Sequence, residues 1–530
     1  MKSGNLRKLS VLLLLALVPA ALCLAADVTT RGGIEEELAG KITSYAERKM
    51  EELHTPGLGV GVVYGNTLVY EGFFGVMNVD TGEAVSKDTL FRIGSISKSV
   101  TAIGLMQKWE EGVFKLDDPV NDYLPEPLIH SPDPKKPVTF RHVLTHTSGA
   151  GEFLSFKQLL MKGQGVQVEG DDYKPLYEYL KLGFNNKVEP GVKYAYSNYG
   201  YTLLGYALEN MAGEPFHVHM KKSVFAKLGM NDTCYRHTDE LEPRIITGHS
   251  WKDKKGEYTV KKHRAFGITP SGNIYTTVED FSLYVAALLN GGKNKNGRVI
   301  GEDTLAMMMT RQHTFDERQP GYGFGFRIYG DEVWGEHRIV GHSGSVPFGY
   351  TSQLVTAPDK RIGVYVFANS DEYAPKQIGF GIMKMILGGK KEELTRTVPD
   401  EEMMTSLTGY YGPKYTNFKT STRIYMGGIG TYRVDRKDGN LVLYGTWEGK
   451  DEARNLYQVD PDDPYFYWIE QDDEDDVYGT HSYITFYERD GNMYISPGGF
   501  DEYVRLGPVR TMKSVLMIPA GRVLAEINPF

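Results

Sequence analysis

The stretch Phe91–Lys98 places a serine and a lysine three residues apart, a spacing that could support nucleophilic chemistry. If a helix begins at or just before Ser95, the Ser95 hydroxyl and the Lys98 amine lie on one face and can meet. A helix N-terminus favours negative charge, which suits a serine oxygen that becomes a nucleophile. A lysine side chain has an ordinary pKa of about 10.4, so it serves as a base only where burial lowers that pKa. The alternative is a helix-capping serine followed by a solvated lysine.

A second stretch, Pro190–Asn198, contains a tyrosine and an asparagine two residues apart. In an extended loop Tyr196 and Asn198 point to the same side. A phenol relays protons when a nearby cation lowers its pKa, and an amide can bind a substrate carbonyl. Taken alone, the pair is equally typical of a core tyrosine beside an asparagine that caps a helix.

A third stretch, Ile339–Val346, leads into two further predicted strands. The small residues Gly344 and Ser345 allow a substrate to lie along the strand edge, where the Ser345 N–H could donate to an oxyanion. His342, considered alone, is more typical of a structural histidine.

In this order the three stretches resemble the serine β-lactamase-like superfamily. That superfamily includes class C β-lactamases, D-alanyl-D-alanine carboxypeptidases, D-aminopeptidases and related esterases of the S12 peptidase type. The matching elements are Ser-x-x-Lys at Ser95 and Lys98, Tyr-x-Asn at Tyr196 and Asn198, and a His-Ser-Gly box beginning at His342. The resemblance covers roughly residues 34–389 and includes two flanking segments, Leu144–Gly149 and Pro270–Asp280.

The resemblance implies a serine hydrolase that works through an acyl-enzyme. Ser95 is expected to attack the carbonyl, Lys98 to take its proton and Tyr196 to shuttle protons. Substrate binding is expected from the remaining motif residues, which are Asn198, His342, Ser343, Gly344 and Ser345. The N–H groups of Ser95 and Ser345 are expected to form the oxyanion hole.

The third box departs from the family pattern, because lactamases and carboxypeptidases of this kind usually have a lysine where this chain has His342. A histidine is largely neutral near pH 7, so it pairs poorly with a substrate carboxylate. The sequence therefore favours an ester, an amide or a D-amino-acid peptide as substrate. One alternative is a β-lactamase or a penicillin-binding D-alanyl-D-alanine carboxypeptidase. An alternative of another class is a catalytically inactive sensor of cell-wall peptides or an oligomeric scaffold.

The predicted fold is α+β, with an antiparallel sheet flanked by helices, a helical lobe and a following all-β barrel. The sheet is expected to combine an early hairpin over residues 57–75 with late strands near residues 325–368. We predict a signal peptide over 1–26, a catalytic domain over 33–389, a charged linker over 390–403 and a lipocalin-like barrel over 404–530. Recurrent Asp-Gly turns such as Lys437–Asn440 and short alternating runs predict the barrel strands. The lipocalin-like comparison itself follows from the family resemblance.

The N-terminal residues have the basic and apolar layout of a secretory signal, which predicts an exported protein. A lipoprotein anchor at Cys23 fits less well, because Leu22 directly precedes that cysteine. The apolar run is too short for a stable membrane span. A net charge of −9 argues against broad nucleic-acid binding. The expected partner is a small-molecule or short-peptide substrate, and homo-oligomers are left open.

Four further features favour structural explanations, and no cofactor or metal is predicted. His142 and His146 are four residues apart but lack the glutamate of a zinc-protease motif. The glycine-rich run Gly321–Gly325 precedes neither a lysine nor a helix, which argues against phosphate binding. The acidic run Asp472–Asp476 lacks the spacing of a calcium loop. Cys234 is expected to be a buried core thiol.

Overall fold

The structure is a computed structural model of the 530-residue chain. It describes residues 26–150, 167–170, 172–186, 188–253, 255–333, 337–372, 374–388, 394–413, 431–445, 453–470, 482–489, 491–498 and 502–507.

A nine-stranded antiparallel sheet organises the first part of the described chain. The early hairpin pairs with the last of the late strands, so residues far apart in sequence lie in one sheet. This confirms the predicted combination of early and late strands. From edge to edge the strands are Asp27–Thr30, Thr67–Asn78, Gly57–Tyr64, Ile362–Ala368, Tyr350–Ala357, His337–Val346, Arg327–Val333 and Gly321–Tyr322, and Glu83–Ala84 pairs with Thr67–Asn78 outside this path.

Both faces of this sheet are buried. Successive side chains on each strand point to opposite faces, so each strand contributes to both cores. On the central strand, Val364 and Val366 pack toward the helices Glu36–Glu52 and Ala374–Leu387. Tyr365 and Phe367 on the same strand pack toward the helical lobe instead. The sheet is therefore the middle layer between two hydrophobic cores.

The helical lobe is built from the segments that lie between the two halves of the sheet in sequence. Small strand pairs connect its helices: Phe91–Arg92 with Tyr275–Thr276, Ile129–His130 with Phe184–Asn185, Gln167–Val168 with Ala265–Phe266, and His249–Lys252 with Glu257–Val260. Its helices are Ser97–Glu110, Phe140–Leu144, Leu176–Leu180, Asn198–Ala212, Phe216–Met220, Lys221–Phe225, Ala226–Leu228, Thr269–Gly272, Val278–Leu289 and Glu302–Met308. Short 3-10 turns occur at Gly94–Ile96, Val120–Tyr123, Glu242–Arg244 and Pro358–Lys360.

The C-terminal part is a closed antiparallel barrel of eight strands. The short helix Glu401–Leu407 precedes it and contributes Met404 and Leu407 to the barrel core. The predicted Asp-Gly turn is present, since Asp438 and Gly439 have φ values of 53° and 79° between two paired strands. The strands are Gly409–Pro413, Tyr432–Lys437, Asn440–Tyr444, Ala453–Gln458, Phe466–Ile469, Ser482–Arg489, Asn492–Pro497 and Tyr503–Arg505.

Parts of the predicted organisation lie outside the described residues. Residues 1–25 of the predicted signal peptide lie outside the described residues, as does the acidic run Asp472–Asp476. The domain boundaries stay predictions, although the large sheet and the barrel occupy the expected parts of the chain. Within the described ranges, no helix combines the length and the apolar character that crossing a membrane requires.

Gly61 lies under a buried tyrosine in the sheet, which leads to a stability prediction. A Cβ at this position would collide with the ring of Tyr365. We expect Gly61→Ala to lower the free energy of unfolding by about 1–3 kcal/mol, as overpacking does in other cores. Urea unfolding followed by circular dichroism measures this change.

Gly40 provides the matched control, because it is exposed in the helix Glu36–Glu52 and a Cβ there meets nothing within 4 Å. Gly40→Ala should raise the free energy of unfolding by about 0.5–1 kcal/mol through helix propensity. Equal stability of the two variants would contradict the packing described for Gly61.

Candidate active site

Ser95 lies in a tight turn that opens the helix Ser97–Glu110. The 3-10 turn Gly94–Ile96 runs directly into this helix, as the sequence predicts. The half-buried Ser95 therefore sits at the N-terminal end of a long, largely buried helix, where unpaired backbone N–H groups and the helix dipole favour negative charge. The helix ends just before Gly112, whose φ of 74° suits glycine.

Lys98 is the central polar group of the site, and its side chain is 0% exposed. Its Nζ lies 3.0 Å from Ser95 Oγ. It also lies 2.6 Å from Asn198 Oδ1 and 2.6 Å from the carbonyl oxygen of Ser271. These three partners are uncharged oxygens. The Lys98 amine can donate to all three of these oxygens.

Two separate elements supply the other oxygens around Lys98. Asn198 begins the helix Asn198–Ala212, whose N-cap is Ser197, with the Ser197 hydroxyl accepting from the Gly200 N–H at 3.0 Å. Ser271 belongs to the short helix Thr269–Gly272, which is tied to the Ser95 helix where Thr101 donates to the Pro270 carbonyl at 2.7 Å. The structure thus gives a role to the Pro270 segment, which the sequence singled out only by resemblance.

Tyr196 lies on the same side of the site as Asn198, as the two-residue spacing predicts. The Lys98 Nζ is 4.8 Å from the centroid of the Tyr196 ring. The half-buried Tyr196 ring also packs against His146, with ring centroids 4.3 Å apart. The structure therefore brings four predicted site residues together, namely Ser95, Lys98, Tyr196 and Asn198.

The strand His337–Val346 lies directly against the turn that carries Ser95. A Cβ on Gly94 would be 2.8 Å from the Ser345 nitrogen, and a Cβ on Gly344 would collide with the Ile93 carbonyl oxygen. Ser352 on the next strand anchors this approach, because its hydroxyl donates to the Ile93 carbonyl at 2.8 Å. Two glycines thus allow the backbone of the third motif to reach the backbone of the first.

His342 belongs to the same strand but is turned into the protein, with only 1% of its surface exposed. Its Nδ1 is 2.6 Å from the Ser343 carbonyl oxygen and its Nε2 is 2.9 Å from the Tyr322 hydroxyl. Burial, with the charges of Arg327 and Lys98, holds the pKa of His342 well below its ordinary value. Its predicted role in substrate binding stays a prediction, as do those of Ser343, Gly344 and Ser345.

Two further residues contact this site, although the sequence analysis gave only structural explanations for the features that contain them. Tyr322, from the glycine-rich run, is 0% exposed and hydrogen-bonds both His342 and His146. His146 adopts a φ of 58°, an uncommon conformation for a residue other than glycine. Burial, together with the charges of Lys98, His342 and Arg327, holds the pKa of His146 well below its ordinary value. The Leu144–Gly149 motif was the available sequence signal for His146.

The other candidate residues from the sequence, His142 and Cys234, have surroundings that indicate structural roles. His142 accepts from the Thr139 N–H at 3.2 Å in a capping box of the helix Phe140–Leu144, a structural role of the kind that the sequence favours. Cys234 is a free, half-buried cysteine, and burial raises the pKa of its thiol to about 12. A thiol with that pKa is a poor nucleophile near pH 7. The described part of the chain contains no group of three or more side chains suited to hold a metal ion.

The chain is similar to one protein family and to several known proteins. The family model described as "Beta-lactamase" matches residues 42–379. The Penicillin-binding protein 4* of Bacillus subtilis (strain 168) is 24% identical over 322 residues, which are 58% of this chain and 67% of that protein. Protein flp of Staphylococcus aureus (strain NCTC 8325 / PS 47) is 22% identical over 341 residues, 64% of each chain. The chain thus spans about two thirds of the length of these curated relatives.

A solved structure extends the likeness beyond the matched domain. The octameric penicillin-binding protein homologue from Pyrococcus abyssi superposes with a TM-score of 0.59 and is 26% identical. The match covers 88% of this chain and 99% of that chain. The shared architecture therefore extends past residue 379 into the part of this chain that forms the barrel.

The two buried histidines predict a specific loss of stability in acid. Because their folded-state pKa values lie below the ordinary value of 6.5, the unfolded chain binds protons first as the pH falls. Their contribution to stability is therefore complete above pH 6.5 and is lost as the pH falls toward the folded-state pKa. We expect His342→Gln to reduce the slope of unfolding free energy against pH, between pH 6 and 5, by up to about 1.4 kcal/mol per pH unit.

Urea unfolding at several pH values measures this slope. His130→Gln is the matched control, since His130 is exposed on the surface. The control should lose less of the slope than His342→Gln does. A His342→Gln variant with the wild-type slope would show that the imidazole is not held neutral in the folded protein.

Proposed function

The chain belongs to the beta-lactamase family, and from this premise we propose that it is a serine hydrolase with Ser95 as its nucleophile. The observation that carries the proposal is the surroundings of Lys98. Its Nζ lies 3.0 Å from Ser95 Oγ, and Asn198 Oδ1 and the Ser271 carbonyl provide acceptors for two N–H groups. In its deprotonated form the Lys98 amine is close enough to take the Ser95 proton.

The mechanism follows from these positions. Ser95 Oγ attacks the substrate carbonyl carbon while its proton moves to Lys98 Nζ. The N–H groups of Ser95 and Ser345 donate to the oxyanion, which is consistent with the close approach of the two backbones at Gly94. Tyr196 receives that proton from Lys98 as it gives its own proton to the leaving group. Water then cleaves the acyl ester, giving its proton to Lys98 through Tyr196, and the Ser95 oxygen is reprotonated by Lys98. Asn198 fixes Lys98 and orients the substrate.

The substrate class is argued from the third motif. We propose an ester, an amide or a D-amino-acid peptide, because His342 cannot provide a cation for a substrate carboxylate in this geometry. Both ring nitrogens have partners within the protein, and the pKa of His342 is lowered. The family resemblance implies a carboxylate-binding lysine at this position in lactamases and carboxypeptidases, and this chain has His342 there.

The second candidate is a β-lactam or D-alanyl peptide substrate, and the penicillin-binding proteins among the relatives favour the β-lactam. The observation in its favour is Arg327, a cation on the neighbouring strand whose charge acts on both buried histidines. An anionic substrate would be recognised through Arg327 and not through His342. Arg327→Gln distinguishes the two substrate classes, because it should slow acylation by penicillin more than turnover of a neutral ester.

The setting of the enzyme is also a proposal. Export through the N-terminal signal sequence would place the enzyme outside the cytoplasm, where D-amino-acid peptides occur in cell walls. The octameric relative suggests that this chain also assembles, which size-exclusion chromatography with light scattering tests directly.

The central prediction concerns Ser95. We expect Ser95→Ala to lower hydrolysis of p-nitrophenyl butyrate by at least about 1000-fold, because the nucleophile is removed. Wild-type protein should hydrolyse this ester faster than benzylpenicillin. Absorbance assays measure both reactions, and intact-mass spectrometry identifies an acyl adduct on the protein.

Ser406→Ala serves as the control, because Ser406 is an exposed serine before the barrel. It should retain wild-type turnover. If Ser95→Ala keeps wild-type activity, the hydrolase proposal is wrong and the sensor or scaffold alternatives gain support. Benzylpenicillin turnover faster than ester turnover would replace the proposed substrate class by the second candidate.

A further inference from the structure

A buried chain of hydrogen bonds runs beside the proposed nucleophile and its base. The Tyr322 hydroxyl lies 3.2 Å from His146 Nε2 and 2.9 Å from His342 Nε2. All three side chains are at most 1% exposed. None of them is needed as an acid, base or nucleophile in the mechanism above.

The groups at the two ends of this chain of hydrogen bonds determine which atom donates and which accepts at each step. The Ser343 carbonyl can only accept, so His342 Nδ1 carries a proton and its Nε2 accepts from the Tyr322 hydroxyl. The Ser197 N–H can only donate, so His146 Nδ1 at 3.1 Å is unprotonated. His146 Nε2–H therefore donates to the Tyr322 oxygen. The two imidazoles are neutral and occupy opposite tautomers.

At one end of this chain of hydrogen bonds, His146 holds the loop that carries Tyr196. His146 binds the residues on both sides of that tyrosine: its carbonyl accepts from the Ala195 N–H at 2.7 Å, and its Nδ1 accepts from the Ser197 N–H. The left-handed backbone of His146 costs conformational energy, and such strain persists where surrounding contacts fix it. The His146 ring also packs against the Tyr196 ring.

The other end holds the strand that carries the proposed oxyanion donor. His342 contacts the carbonyl of Ser343, two residues before Ser345. Between the ends, Tyr322 belongs to the edge strand Gly321–Tyr322 of the same sheet. These hydrogen bonds thus connect the loop of the Tyr-x-Asn motif to the strand of the His-Ser-Gly box. The connecting residue, Tyr322, lies on a strand that contains neither motif.

We propose that His146, Tyr322 and His342 are positioning residues that hold Tyr196 and the Ser345 N–H in a fixed arrangement around Ser95. The inference rests on the hydrolase function proposed above. A fully satisfied buried network is rigid, and oxyanion stabilisation requires donors placed within a few tenths of an ångström. A histidine at position 342 fits this role because it both donates and accepts, whereas a lysine can only donate.

Tyr322→Phe tests the proposal, because it removes one hydroxyl and keeps the ring. His342 Nε2 then lacks its donor and His146 Nε2–H lacks its acceptor. With p-nitrophenyl butyrate we expect kcat to fall roughly 10-fold to 100-fold, since small misplacements of catalytic groups have effects of this size. KM should change less than about 3-fold, because Tyr322 is buried away from the substrate.

Tyr365→Phe is the matched control. Tyr365 is also fully buried, and its hydroxyl donates to the Val278 carbonyl within the sheet core. Both variants lose one buried hydrogen bond, so both should lose some thermal stability. Only Tyr322→Phe should lose kcat. Equal kcat in the two variants, at or near the wild-type value, would overturn the positioning role.

A spectroscopic measurement tests the proton assignment itself. Long-range nitrogen–proton correlation spectra of [15N]histidine-labelled protein distinguish the two neutral tautomers. His342 should be protonated on Nδ1 and His146 on Nε2, with assignments from His342→Gln and His146→Gln variants. The same tautomer at both positions, or a charged imidazole at neutral pH, would contradict the proposed chain of hydrogen bonds.

A second pair of variants covers the case in which Tyr322→Phe does not fold. His342→Gln keeps an acceptor near the Tyr322 hydroxyl, whereas His342→Leu keeps none, so Gln should retain more kcat than Leu. Equal kcat in this pair would overturn the inference. Failure of the proposed function looks different, because wild-type protein would then have no turnover that depends on Ser95.

Discussion

The site depends on a lysine amine that is buried beside three uncharged oxygens. Removing a polar amine from water is costly unless it is hydrogen-bonded, so these oxygens must be held in place around Lys98. Ser95 Oγ, Asn198 Oδ1 and the Ser271 carbonyl come from three elements that are far apart in sequence. The helical lobe must therefore fold correctly around Lys98 before this arrangement exists, which links the proposed catalysis to the main hydrophobic core.

The second constraint is the close approach between the Ser95 turn and the strand His337–Val346. Side chains at Gly94 and Gly344 would separate the two backbones. Because the strand belongs to the large sheet, the distance between the nucleophile and the proposed oxyanion donor is set where the sheet meets the lobe. A hydrophobic core packs against each face of the sheet. Because protein cores are densely packed, this packing makes the junction stiff.

The sequence predicted the parts of this arrangement that local patterns encode. The Ser-x-x-Lys spacing, the Tyr-x-Asn pair, the combined early and late strands and the Asp-Gly turn of the barrel all follow from short-range rules or resemblance. The Ser271 acceptor could not be predicted, because a backbone carbonyl leaves no residue-type signal. Tyr322 was missed for a related reason. It lies in a glycine-rich run without helical or phosphate-binding context, and only the tertiary fold brings its hydroxyl between two histidines.

The position of Tyr322 also depends on the barrel, although the barrel contributes no residue to the proposed chemistry. Just before the edge strand Gly321–Tyr322, Arg318 pairs with Asp463 at 2.7 Å and lies 3.6 Å from the centroid of the Phe466 ring. The buried Gln319 donates to the Ser496 carbonyl at 3.2 Å. The segment that leads into Tyr322 is therefore held by the barrel on one side and by the sheet on the other. A surface salt bridge alone contributes little, but a buried amide and a stacked guanidinium add geometric restraint. The barrel thus supports the edge of the nine-stranded sheet that places Tyr322 between His146 and His342.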